Sequence, residues 1–152
     1  MPDWSLLIFI VIVVATAMTG ILFKPGDWYK SLAKPSWTPP DWLFGPVWSI
    51  LYLMIAVAGW LVWTTLGMSS LMLVWGLQLV LNGMWSWMFF GLRRMDLAFV
   101  DVVMMWLTIA TFIALAATAA PLAAILFVPY LVWVTIAAAL NLSVWRRNPQ
   151  AA

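Results

Sequence analysis

Five runs of apolar residues, Trp4–Phe23, Val47–Leu66, Leu71–Phe90, Leu97–Thr118 and Leu122–Trp145, divide the chain, and its charged residues gather almost wholly between them. Each run holds 20 to 24 residues. A helix needs about 20 apolar residues to cross the hydrocarbon core of a bilayer. The pattern therefore predicts five transmembrane helices. The connections are short except for Lys24–Pro46, so sequential helices are expected to be antiparallel neighbours. The first run is expected to be retained rather than cleaved as a secretory signal. No Lys or Arg precedes it, and its apolar core exceeds the 7–15 residues of a signal h-region.

Composition agrees with the pattern. The 152 residues suit one domain, 1–152, and 66% are hydrophobic while only 8% are charged. Soluble domains carry roughly 45–50% apolar and about 25% charged residues, so this chain is an integral, all-α membrane protein. The net charge of +2 is spread over separated sites and makes no phosphate-binding stripe, so no nucleic-acid partner is expected. Cysteine and histidine are absent. That removes disulfides, thiolate chemistry and the commonest metal ligand and general base.

The basic residues also set an orientation. Lys24, Lys30 and Lys34 lie in the long connection, Arg93 and Arg94 between the third and fourth runs, and Arg146 and Arg147 after the fifth. All seven fall on one side of a five-helix chain. The positive-inside rule then places the C-terminus in the cytoplasm and the N-terminus outside. The long connection carries Trp28, Trp37 and Trp42 among prolines. Such rings need burial, so the segment 24–46 is expected to fold as a structured lid over the cytoplasmic end of the bundle.

Within the spans, polar and aromatic residues fall into stripes. In the third, Trp75, Gln78, Asn82, Trp85 and Ser86 share one arc, with Gly76 and Gly83 on the opposite face. Amides are costly against lipid, so Gln78 and Asn82 point inward, either bonding helices together or anchoring a ligand. In the fifth span Tyr130, Trp133, Ala137 and Asn141 line one face, and in the second Trp48 and Tyr52 stack at i, i+4. Asp101 is the carboxylate inside a span, expected to pair with Arg94 or to bond another helix. Trp4, Trp28 and Trp145 sit where interfacial anchoring explains them. Trp48, Trp85 and Trp133, on three helices, make instead a flat-walled apolar slot suited to a planar aromatic ligand. Gly76 and Gly83 clear a stripe for close approach of a helix, read here as a homodimer seam, with a helix of the same chain as the other reading.

The stretches "WYKSLAKPSWTPPDW", "PVWSILY", "LNGMWSWMFFGLRRM" and "FVPYLVWVTIAAALN" resemble the translocator protein / tryptophan-rich sensory protein family (TspO/MBR). The resemblance runs through all five spans. It implies a five-helix bundle, usually a homodimer, that binds porphyrins, sterols and isoquinoline or benzodiazepine-type ligands beneath the first loop. It implies no obligatory cofactor, with protoporphyrin IX or a related tetrapyrrole as ligand. By motif, Trp48, Tyr52, Asn82, Trp85, Trp133 and Ala137 stand where the family lines its cavity, and Tyr29 and Trp37 where the loop closes over it. One stretch departs: "ALNLSVWRRN" has Leu142 and Ser143 where the family's sterol motif wants tyrosine. That favours a bacterial-type, porphyrin-handling member. The leading expectation is a tetrapyrrole-binding sensor or transporter. A light-dependent porphyrin-degrading enzyme and a sterol-binding translocator are the alternatives.

Overall fold

Helices follow the apolar runs, and the flanking residues decide where each begins and ends. The computed structural model describes residues 4–151. Its helices are α1 (Ser5–Leu22), α2 (Asp27–Ser31), α3 (Asp41–Leu66), α4 (Ser70–Ser86), α5 (Met95–Ala119) and α6 (Pro121–Arg147), with a π-helical turn at Trp87–Gly91 extending α4. Five of these segments are long and apolar enough to cross a membrane, and α2 is a short piece in the long connection.

Two junctions show the local causes. Gly67 ends α3 at φ 61°, a left-handed conformation that suits glycine, while its N–H bonds the carbonyl of Trp63. Two residues later Ser69 opens α4, its Oγ accepting from the N–H of Met72 at 3.3 Å. Between α5 and α6 only Ala120 intervenes, and Pro121 at the first helical turn needs no intrahelical donor there.

The start of α3 differs from the sequence expectation. It begins at Asp41, six residues before Val47, and Pro46 lies inside the helix. Pro40 supplies an extended N-cap and the Asp41 carboxylate sits at the positive end of the helix dipole. Pro46 then removes a single early hydrogen bond, which those features outweigh. The added turns bring Phe44 inward.

The five long helices form a closed ring in the order α1, α3, α6, α5, α4, with the α5–α6 seam the most extensive. Ile55, Val102, Ile109, Phe112, Phe127 and Val134 are fully buried at its centre, and Phe112 stacks on Phe127 at 4.0 Å. A second, smaller core of Leu32, Phe89, Met95, Ala98, Leu140 and Val144 sits under the α1–α3 connection. Phe44 and Trp85 pack against both. Ile8, Leu53, Val100 and Ile125 face outward, as lipid permits and water would not.

Two expectations are corrected here. Arg94 pairs with Asp96 at 2.6 Å, not with Asp101, because Asp96 lies at the exposed start of α5 beside it. Gly83 faces α1 of the same chain: a Cβ there would meet Thr19 Cγ2 at 3.5 Å and Thr16 Cγ2 at 3.9 Å. Its missing side chain therefore serves an intrachain contact, whereas Gly76 has nothing within 4 Å and remains on the open face of α4.

Candidate functional site

Two connected groups of side chains hold most of the residues singled out in the sequence. The inner group spans α3, α4 and α6. The i, i+4 spacing on α3 stacks Trp48 on Tyr52, with ring centroids 5.3 Å apart and planes at 29°. Tyr52 Oη donates to Asn82 Oδ1 at 2.8 Å. Asn82 Nδ2 donates to Tyr130 Oη at 2.8 Å, and Tyr130 Oη donates to Gln78 Oε1 at 2.8 Å. Gln78, Asn82 and Tyr130 are all buried, so this chain of bonds lies out of reach of water. In that setting each unmade bond would cost about 1–3 kcal/mol; the stripes of α4 and α6 satisfy one another except at Gln78 Nε2, which is buried without a partner. The amides of Gln78 and Asn82 thus join helices. Trp48 meets the Tyr130 ring edge-on at 6.3 Å, and Phe44 meets Trp133 edge-on at 5.5 Å.

Trp133 itself is 9% exposed, and its Nε1 is buried without a hydrogen-bond partner. Trp75, Trp85 and Trp106 differ: their N–H groups go to the carbonyl of Ile55, to Asn141 Oδ1 and to Thr135 Oγ1. Beside Trp133, α3 and α6 leave an apolar groove of about 470 Å³, walled by Ile50, Leu51 and Met54 on one side and Pro129, Val132 and Trp133 on the other. Ile50 and Val132 stand at its membrane-facing rim.

The outer group lies under the long connection. Trp85 stacks on Phe89 at 5.0 Å and meets Phe90 edge-on at 5.7 Å. Asn141 Oδ1 accepts from Trp85, and its Nδ2 donates to the carbonyl of Met95 at 2.9 Å. The π-helical turn sets this geometry, since Leu92 N–H reaches back to the carbonyl of Trp87. Phe89 and Phe90 thereby form a seat on which Tyr29 rests edge-on at 6.2 and 5.5 Å. Lys34 Nζ donates to the carbonyl of Tyr29 at 2.7 Å and lies 4.4 Å from the centre of its ring. Burial, then the charge of Asp41, pushes the Tyr29 phenol above its ordinary value, so the ring stays neutral in its seat. Asn148, just past α6, bonds both backbone groups of Ala33: Oδ1 accepts from its N–H and Nδ2 donates to its carbonyl, each at 2.9 Å.

The structure therefore brings Trp48, Tyr52 and Asn82 into one group and Tyr29 and Trp85 into the other. Trp133 borders the first through Phe44, and Ala137 is half-buried one turn further along α6. Trp37 stands apart, 50% exposed. The sequence reading missed Phe44, Phe89, Phe90 and Asn148. Phe44 lay in a stretch read as loop, and no periodicity announces a π-helical turn. Among the described residues no group of three acidic side chains could hold a metal ion.

Residues 6–146 match the model of the TspO/MBR family. The chain belongs to the TspO/MBR family. It is 42% identical to Protein CrtK of Rhodobacter capsulatus, with 95% of each chain covered. It is 39% identical to a tryptophan-rich sensory protein of Cereibacter sphaeroides, over 96% of this chain and 93% of the relative. It is also 41% identical to the human translocator protein, over 85% and 81%. Membership of TspO/MBR and the five apolar helices make it a multi-pass integral membrane protein.

Proposed function

We propose that this TspO/MBR protein binds a planar tetrapyrrole, with protoporphyrin IX as the test ligand, and serves as a membrane sensor or transporter for it. The observation that carries the reading is the aromatic wall of the inner group. Trp48 stacks on Tyr52 and meets Tyr130 edge-on, Phe44 meets Trp133 edge-on, and the Trp133 N–H and the Gln78 amide nitrogen are unused buried donors. Flat aromatic surfaces with two free donors suit a flat ligand with acceptors at its edge. Isoquinoline and benzodiazepine-type compounds share that shape and are expected to compete. The names of the relatives, a sensory protein and a translocator protein, support the sensor or transporter role.

In this reading the C-terminus is cytoplasmic and the Tyr29–Lys34 segment closes the cytoplasmic end of the slot. Two copies pair along the open face of α4, where Gly76 has no neighbour and Leu73 and Val80 are exposed. Gly76→Leu is expected to shift the protein in bilayers toward monomer by single-molecule subunit counting, because the close approach that packing in lipid demands is lost. An unchanged dimer fraction would place the seam elsewhere.

Ligand binding is tested by quenching of tryptophan fluorescence on titration with protoporphyrin IX. Trp48→Ala and Trp133→Ala each remove an aromatic wall worth about 0.5–1.5 kcal/mol beyond area burial, so each is expected to weaken binding about two- to twelvefold. Unaltered affinity in a folded Trp133→Ala protein would remove that residue from the site. The same titration under illumination separates binding from degradation: a Soret band that holds its intensity indicates binding alone.

A further inference from the structure

We propose that the ligand reaches the slot sideways from the bilayer, through the α3–α6 groove, with the Trp133 indole as the swinging gate. The inference rests on the tetrapyrrole-binding reading and adds the route. The groove opens between lipid-exposed Ile50 and Val132 and is lined by Trp133, whose indole meets Phe44 of the aromatic wall edge-on. Its walls are apolar from rim to floor, which suits a hydrocarbon-soluble molecule and repels a water-borne one.

The alternative route, through the long connection, is fastened shut. Leu32 is buried, Tyr29 is seated on Phe89 and Phe90, and Asn148 holds both backbone groups of Ala33. Opening it breaks several bonds at once. Rotating Trp133 breaks no hydrogen bond, because its N–H is already unpaired, whereas turning Trp75, Trp85 or Trp106 would break one, and at Trp75 would orphan a buried donor. Pro129, in the groove wall one turn before Trp133, lacks the N–H that would tie α6 together there. A ligand acceptor that met the Trp133 N–H would satisfy it, so the gate closes on its cargo.

Three arms test this in lipid nanodiscs. In the first, Ile50→Trp with Val132→Trp narrows the mouth without touching the core. A plugged path slows protoporphyrin IX association and dissociation together, by about tenfold or more, and leaves Kd within about twofold, since a route alters rates and not equilibrium. In the second, Ala33→Cys and Asn148→Cys are joined by a short bis-maleimide. No native cysteine competes, and both rates are expected to stay at wild-type values. In the third, no ligand is used. In 5-fluorotryptophan NMR the Trp133 signal, assigned by its loss in Trp133→Phe, is expected to be exchange-broadened and to narrow in the plugged variant, while the Trp75 signal is narrow throughout. Wild-type rates in the plugged variant, or collapse of exchange on cross-linking the connection, would overturn the lateral route. A Trp133 signal as narrow as that of Trp75 would overturn the gate whether or not protoporphyrin IX binds, so failure of the gate is separable from failure of the ligand.

Discussion

A Cβ placed on Gly59 would lie 2.3 Å from Trp75 Cε2 and 2.6 Å from its Nε1. That ring is also pinned from the other side, its N–H bonded to the Ile55 carbonyl at 2.9 Å and its face meeting Phe9 edge-on at 5.1 Å. The indole therefore cannot retreat without losing a buried hydrogen bond. Gly59→Ala is expected to cost about 1–3 kcal/mol as an overpacked core contact, read as a lower midpoint in SDS-induced unfolding. Gly76→Ala is the contrast. Within one chain nothing lies within 4 Å of its Cβ, so in monomeric protein the change meets only the higher helix propensity of alanine and should leave the midpoint equal or slightly raised. Equal midpoints for Gly59→Ala and wild type would mean that Trp75 packs otherwise. Trp75 falls on the polar, inward arc of its span, but its interlock with Gly59 reaches between α3 and α4, which are not neighbours in the ring, and no sequence period announces it.

The long connection is a folded element because Trp28 and Tyr29 rest on Phe89 and Asn148 holds Ala33, while Trp37 and Trp42 stay exposed. Asn148 is the cheapest place to loosen it. Asn148→Ala removes both bonds to Ala33 and one to the Val144 carbonyl. Faster amide hydrogen exchange is expected across residues 28–38, with the five long helices unaffected; unchanged exchange at Ala33 would show the aromatic seat to be sufficient. Much of this architecture was legible beforehand, since bilayer thickness forces each span toward 20 residues, and the 3.6-residue period put Gln78, Asn82 and Tyr130 inside. Other features had no such signal. Pro46 reads as a stop, yet Pro40 and Asp41 start α3 ahead of it. The i→i−5 bonding of Trp87–Gly91 leaves no mark in composition, so the seat made by Phe89 and Phe90 was hidden. Periodicity gave the face of Gly83 but not its neighbour, because a helix of the same chain and one of a second copy present the same surface to it. Proximity along the chain suggested Arg94 for Asp101, and the exposed Asp96 took it instead.

At the scale of the whole molecule the distribution of charge makes one further claim. Every Lys and Arg lies at one end of the helix ring: Lys24, Lys30 and Lys34 in the connection, Arg93 and Arg94 before α5, Arg146 and Arg147 closing α6. The other end is formed by the Gly67–Ser69 and Ala120 turns, which carry none. The contacts of the long connection with Phe89, Phe90 and Asn148 independently gather the three charged segments on one side. Translocation of such segments is opposed at insertion, so that side is expected to be cytoplasmic. A cysteine at exposed Met68 should then react with a membrane-impermeant maleimide from outside intact cells, and one at exposed Gln150 only after the membrane is opened. The absence of native cysteine gives the assay no background. Labelling of both positions from the same side would break the five-span topology, and labelling of the opposite pattern would invert it. In either case the connection would no longer close a cytoplasmic end. The lateral route would stand, because a groove that opens to hydrocarbon is indifferent to which aqueous side the lid faces.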